Sequence, residues 1–171
     1  ISTRGSRTKI PLERYVLGVL LDEVAEAANH RLLEMSHRRY SLHRMKESGA
    51  ANKGGLSLEV SDSSTGRSRP ANTLSGGETF LASLSLALGL ADVVQARQGG
   101  VHLDTMFIDE GFGTLDPEAL NSAMNTLIDL QSTGRLVGII SHVPELEERI
   151  DARLKVSPAE KGSRAEFEIV E

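Results

Sequence analysis

Three short stretches of this sequence hold residue types suited to chemistry on an anion. The first is Leu74-Ser75-Gly76-Gly77-Glu78, set between a polar segment and a strongly apolar one. Ser75 and Glu78 have the spacing of a capping box, in which hydroxyl and carboxylate satisfy free amides at a helix start. Capping leaves the two successive glycines unexplained, since each costs about 1 kcal/mol relative to alanine inside a helix. The other reading is that bare amides, a hydroxyl and the partial positive charge of a helix amino end receive a bulky anion. The second stretch is Asp109-Glu110, where the apolar run Thr105-Met106-Phe107-Ile108 stops abruptly. Adjacent carboxylates repel, and on a strand they point to opposite sides unless the chain turns. One arrangement uses both: the first supports a hard cation such as Mg2+, usually through water, and the second orients or deprotonates an attacking water. A solvated strand end is the alternative, and Gly111 and Gly113 just beyond the pair weigh against it. The third is His142, which follows the apolar run Leu136-Val137-Gly138-Ile139-Ile140 and Ser141. It reads either as a structural hydrogen bonder or, if its strand lies beside the acidic one, as a contact to a terminal phosphate. Gly113-Thr114-Leu115-Asp116, taken alone, is a turn ending in a helix cap.

These residues need elements to hold them. Leu12, Tyr15, Val16, Val19, Leu20, Val24 and Ala27 recur at helical spacing, which predicts a long amphipathic helix from Pro11 to about Met35. Alternation around Tyr40, Leu42 and Arg44, and again over Leu56 to Val60, predicts a hairpin turning at Asn52-Lys53-Gly54-Gly55. Ser61 to Thr73, rich in Ser, Thr, Gly and Pro, reads as a loop. A second helix is expected over Thr79 to Ala96 and a third over Pro117 to Leu130, capped by Asp116. The runs ending at Ile108 and Ile140 read as buried strands, followed by a short helix near Pro144 and strands near Arg153–Val156 and Glu166–Val170. Such alternation of strand and helix predicts an α/β fold with a parallel sheet, whose ligands gather at the carboxyl ends of strands.

Composition narrows the classes further. The 171 residues are 39% hydrophobic and 25% charged, enough to bury a core. Without cysteine there is no disulfide framework, thiolate zinc site, cysteine nucleophile or dithiol redox chemistry. Aromatics at 4% and no tryptophan argue against a stacking platform for single-stranded nucleic acid. No run of about 18 apolar residues and no leader-like amino end is visible, so the chain reads as soluble and cytoplasmic. Its first residue, Ile1, suggests that something upstream has been removed. The net charge of −5 is uneven: residues 1–46 hold nine Lys and Arg against five Asp and Glu, the remainder ten against nineteen. Arg38, Arg39, Arg44 and Lys46 are therefore the candidates for a duplex backbone, against the plainer reading of a solvated face.

Taken in order, the motifs resemble the carboxyl-terminal half of an ABC-type ATPase head. Leu74 to Glu78 resembles the ABC signature, Met106 to Glu110 a Walker B strand with its glutamate, Leu115-Asp116 the D-loop and His142 the switch histidine. The wording from Leu103 through Asp116, and Gly138 through Val143, is similar to the SbcC family of SMC-like ATPases, as are Arg14 to Leu17 and Met35-Ser36 through Arg39-Tyr40. Before Arg39-Tyr40 that family often has glycines, where this chain has His37 and Arg38. The resemblance implies the carboxyl-terminal lobe of an ABC/SMC-type P-loop ATPase head, a mostly parallel sheet flanked by helices with a long helix and hairpin ahead of it. Residues 1–46 would be the end of a returning coiled-coil helix with the first strand, and residues 47–171 the head half. It implies ATP and Mg2+ as cofactors, with Asp109 on the metal, Glu110 and His142 catalytic, and Ser75, Gly76, Gly77, Glu78 and Asp116 binding the nucleotide. No Gly-x-x-x-x-Gly-Lys-[Ser/Thr] loop occurs in the sequence. The implied partners are thus an amino-terminal half carrying that Walker A loop and the Q-loop, a second head sandwiching ATP, an SbcD-type metal-dependent nuclease subunit and double-stranded DNA. No membrane is implied, and the location would be cytoplasmic and nucleoid-associated. Rival readings are another ABC/SMC-class head, such as a chromosome-structural SMC protein, a RecN- or RecF-like ATPase or a transporter subunit, and a non-catalytic dimerisation module.

Overall fold

The computed structural model describes residues 11–45, 56–98, 103–160 and 162–169. The first helix, α1 (Leu12–Met35), buries Val24, Ala25, Ala28, Leu32 and Met35, residues spaced so as to share one face. Its opening turns differ from the expected amphipathic packing: Leu12, Tyr15, Val16, Leu17 and Val19 stand exposed. The chain reverses after α1 through His37 and Arg38, with φ of 50° and 62°. That left-handed backbone explains why glycine suits these positions, and a side chain there costs on the order of 1 kcal/mol.

Beyond the reversal, β1 (Tyr40–Arg44), β2 (Leu58–Asp62) and β3 (Arg67–Pro70) form an antiparallel sheet in which Tyr40 faces Asp62 and Leu42 faces Val60. The Asn29 side chain donates to the carbonyl of Leu42 and accepts from its amide, tying α1 to β1. The hairpin turn expected at Asn52 to Gly55 lies outside the described residues, as does Lys46. The loop expected over Ser61 to Thr73 contains β3 and a 3-10 turn, Ala71–Thr73. Polar residues on an exposed edge strand carry no apolar alternation, so the sequence hides such a strand. Gly66, at φ 65°, closes the turn that brings β3 back.

The second helix, α2 (Gly76–Gln98), crosses α1 closely, because a Cβ on Gly89 would lie 2.7 Å from Ala28 N and Val24 O. Over Gly76–Arg97 it is long and apolar enough to cross a membrane by length and composition alone. Asp92 nevertheless pairs with both Arg31 of α1 and Arg135, and Leu81, Leu84 and Leu88 are buried in the core, as in the core helix of a globular fold.

The α/β character is carried by β4 (Thr105–Asp109) and β5 (Leu136–Ile140), which pair in parallel through the crossover helix α3 (Pro117–Ser132). A short helix α4 (Pro144–Glu147) and the antiparallel hairpin β6 (Ala152–Ala159) and β7 (Gly162–Ile169) complete the chain. Among the described residues, parallel pairing is confined to β4 and β5. Met106, Ile108, Val137 and Ile139 pack against the core, but the opposite face of this pair is open: Phe107 is 69% exposed, Leu136 62% and Ile140 54%. The runs are apolar on both faces, as strands covered on both sides are, yet the described residues cover one.

Candidate functional site

The acidic pair sits where β4 ends, and the chain turns between its two carboxylates. Asp109 is the last residue of the strand, in register with Ile140, and strand alternation places it with Phe107 on the open face. Glu110 adopts φ 58° and Gly111 φ 100°. A glutamate in that region is strained by about 1–3 kcal/mol, a burden that clusters at functional positions. The turn redirects the Glu110 side chain while its amide still donates to Ile140 O at 2.8 Å. Its carboxylate then meets His142 Nδ1 at 3.0 and 3.2 Å, although the histidine side chain is 82% exposed. A carboxylate oxygen accepts, so this contact has the Nδ1–H tautomer of His142 donating to Glu110.

The start of α2 is built differently. Glu78 Oε2 accepts from the Ser75 amide at 2.8 Å, whereas the reciprocal bond from Glu78 N to Ser75 Oγ is 3.4 Å. The capping box is therefore tight on the glutamate side and loose on the serine side, which leaves the exposed hydroxyl able to turn outward. Glu78 also accepts from Tyr40 OH at 2.5 Å and from Arg69 at 3.0 Å. Burial alone would push its pKa up, yet the bonds from Tyr40, the Ser75 amide and Arg69 bring it down to about 2. Burial and the same carboxylate push the Tyr40 hydroxyl up to about 12. The two glycines separate as well. A Cβ on Gly77 would lie 2.9 Å from the Thr114 carbonyl, so close packing requires that glycine; on Gly76 it would meet only the Thr114 side chain at 3.7 Å. Packing among the described residues does not account for Gly76.

Asp116 caps α3, accepting from the amides of Glu118 and Ala119 at 3.0 and 2.9 Å. A cleft of about 640 Å³ gathers it with Ser75, Gly76, Gly77 and Glu78, opposite His37, Arg39 and Tyr40. A second, of about 420 Å³, is lined by His142, Gly113, Leu115 and Asn121. Glu110 and His142 are thus brought into contact with one another, and the lining of the larger cleft includes neither. The two regions touch through Phe80, whose ring packs on Phe112 with centroids 4.8 Å apart and fills the space a Gly111 Cβ would need.

Tyr40 and Arg69, the donors that fix Glu78, escaped the sequence reading. They lie 38 and 9 residues from it, and no local pattern marks a carboxylate shared at such distances. The basic segment is less available to a duplex than its composition suggests. Arg39 makes two bonds to Asp62, which holds that carboxyl below its usual range, and Arg44 makes two to Asp22. For a metal, no group of three potential ligands occurs among the described residues. Mg2+ commonly takes one or two carboxylates and completes its shell with phosphate and water, so Asp109, exposed on the open face, fits as one such donor.

The SbcC/RAD50-like Walker B family model matches residues 36–129, a span holding every site residue above except His142. The chain is 59% identical over 164 residues to the SbcC subunit of nuclease SbcCD from Vibrio cholerae, covering 95% of this chain and 16% of that protein. It is 51% identical over 167 residues to the SbcC subunit of Staphylococcus haemolyticus, covering 98% of this chain and again 16% of the relative. In fold it is similar to a chain from a structural study of ATP-driven dimerization and DNA stimulated activation of SMC ATPases, with TM-score 0.67 and 17% identity over 90% of this chain and 88% of that one. A similar likeness holds to the Smc head domain of Pyrococcus furiosus bound to the C-terminal domain of ScpA, with TM-score 0.65 and 17% identity over 92% of this chain and 37% of that one. The fold is that of an SMC-type head lobe, and the chain belongs to the SbcC/RAD50-like Walker B family.

Proposed function

We propose that this lobe is the carboxyl-terminal half of an ATPase head, working in two half-sites that serve different nucleotides. The observation that carries the reading is the separation just described: Glu110 and His142 bond to each other at a strand tip, while Ser75 and Gly76 open onto another cleft. An amino-terminal half bearing the phosphate-binding loop would cover the open face of β4 and β5, where Phe107, Leu136 and Ile140 await apolar contact. Asp109 would then hold Mg2+, which supplies charge neutralisation on the phosphates. Glu110 accepts a hydrogen bond from the attacking water and takes up its proton, with His142 swinging from the carboxylate toward the terminal phosphate. Ser75 and the amides at Gly76 and Gly77 donate to the triphosphate held by a second copy of the head. Positioning and charge stabilisation supply most of the catalysis in phosphoryl transfer, so neither half-site works alone.

In the complete protein, ATP would join two heads and hydrolysis would release them. The motion would gate an SbcD-type nuclease subunit acting on double-stranded DNA in the cytoplasm, in association with the nucleoid. The relatives named as the SbcC component of nuclease SbcCD support that assignment over a chromosome-structural head. The test is Glu110→Gln in the full-length protein. ATP binding and head pairing are expected to persist, with steady-state hydrolysis reduced at least about 100-fold. Turnover near wild type defeats the reading.

A further inference from the structure

In an ordinary capping box the carboxylate takes one donor, the amide of the capping residue, but the carboxylate of Glu78 receives donors from three elements. Tyr40 reaches it from β1, Arg69 from β3, and the Ser75 amide from the start of α2 itself. Each outside donor is in turn fixed. The Tyr40 amide donates to Ser36 Oγ at 3.1 Å, Ser36 donates to Leu32 O in the last turns of α1, and the Arg39 guanidinium lies 4.7 Å from the Tyr40 ring centre. Arg69 also donates to the Thr73 carbonyl at 2.5 Å, just ahead of Ser75. A charged acceptor with this many donors is held far more firmly than helix capping requires.

We infer that Tyr40 and Arg69 are positioning residues for the amino end of α2. They clamp Glu78 between β1 and β3, so that Ser75 and the Gly76 amide keep a fixed aim toward an anion presented by a second protein surface. The same clamp links the carboxyl end of α1 to that aim, because only the reversal at residues 36–39 separates α1 from Tyr40. This inference rests on the reading that the α2 start receives the nucleotide of another head.

The experiment uses the full-length protein and reads three quantities: the ATP concentration for half-maximal head pairing, nucleotide affinity of the unpaired head, and Tm. Tyr40→Phe removes the hydroxyl and keeps the ring; it is expected to raise the pairing midpoint about tenfold while affinity of the unpaired head stays at wild type. Arg69→Lys, which keeps the charge with fewer donors, should fall between wild type and Arg69→Ala. Leu130→Ala, a core truncation at the far end of α3, should lower Tm without moving the midpoint. An unchanged midpoint in Tyr40→Phe overturns the inference, as does a shift that Leu130→Ala reproduces at equal loss of Tm. If Tyr40→Phe does not fold, the order of the two Arg69 variants decides, and equal midpoints for them overturn it. Ser75→Arg separates the two levels of the argument. Should it leave pairing intact, the nucleotide reading of α2 fails; should it abolish pairing while Tyr40→Phe is silent, only the positioning role fails.

Discussion

The start of α2 and the tip of β4 lie on either side of the Phe80–Phe112 ring contact, yet they are built to opposite rules. At α2 the key carboxylate is enclosed by three donors, and one of the two glycines is dictated by packing against the Thr114 carbonyl. At β4 the key carboxylate is half exposed, strained at φ 58° and held by a histidine that is itself mostly in solvent. The difference fits the proposal that the start of α2 presents donors and the tip of β4 reacts. Donors aimed at charge on an incoming ligand work best when preorganised. A group that must exchange a proton with water and change partner during a cycle needs freedom to move. The largest expected effects exploit this contrast. Glu110→Gln should stop hydrolysis and spare head pairing, whereas Ser75→Arg should stop pairing and spare nucleotide affinity of the unpaired head. Light scattering with and without ATP, beside a phosphate-release assay, checks both, and a pair of variants that fail in the same step would erase the distinction.

The glycines sharpen the comparison at a smaller scale. Gly77→Ala forces the Thr114 carbonyl to shift, and should destabilise the lobe by about 1–3 kcal/mol. Gly76→Ala meets no such obstacle and replaces a poor helix former, so it should be neutral or stabilising by up to about 1 kcal/mol. If Gly76 is bare for a ligand, the same substitution should still weaken ATP-dependent pairing, stability and pairing moving in opposite directions. Thermal melts and pairing midpoints measured on both variants decide it; a Gly76→Ala protein that pairs at the wild-type ATP concentration would leave that residue without its proposed purpose.

Much of this layout could be read from the chain because its signals are local. The capping pair Ser75 and Glu78, the Asp116 cap and the abrupt polar end of the β4 run each lie within a few residues of what they specify. Adjacent carboxylates point to opposite sides of a strand unless the chain turns, and the left-handed φ of Glu110 makes that turn. What stayed hidden depends on distant partners or on surfaces. Strand β3 has no apolar face, so only its pairing with β2 reveals it. The bonds from Tyr40 and Arg69 to Glu78 join three elements, and periodicity carries no record of them. The ion pairs of Arg39 and Arg44 turn a basic run into internal ties, a change that net charge over a segment does not register.

The smallest expected effect is the pH response of the α2 clamp. Glu78 titrates near 2 in the fold against an ordinary value of 4.5, so its ionised form is favoured by folding. That contribution is fully present above about pH 4.5 and is lost as the pH falls through 2. Tyr40 moves in the other direction, from 10.0 to about 12, so the neutral hydroxyl is favoured; its contribution is intact below pH 10 and is lost as the pH rises through 12. The Tyr40–Glu78 bond contributes to both limbs, beside the Ser75 and Arg69 bonds to Glu78 and the burial of Tyr40, and solvent screening at this partly exposed site keeps each limb on the order of 1 kcal/mol. Glu78→Gln should therefore flatten the acid limb of a Tm-against-pH curve, and Tyr40→Phe the alkaline limb. Each variant should also shrink the other's limb, because the two shifts share the Tyr40–Glu78 bond. Acid and alkaline limbs that respond independently in the two variants would show that the Tyr40–Glu78 bond does not join them.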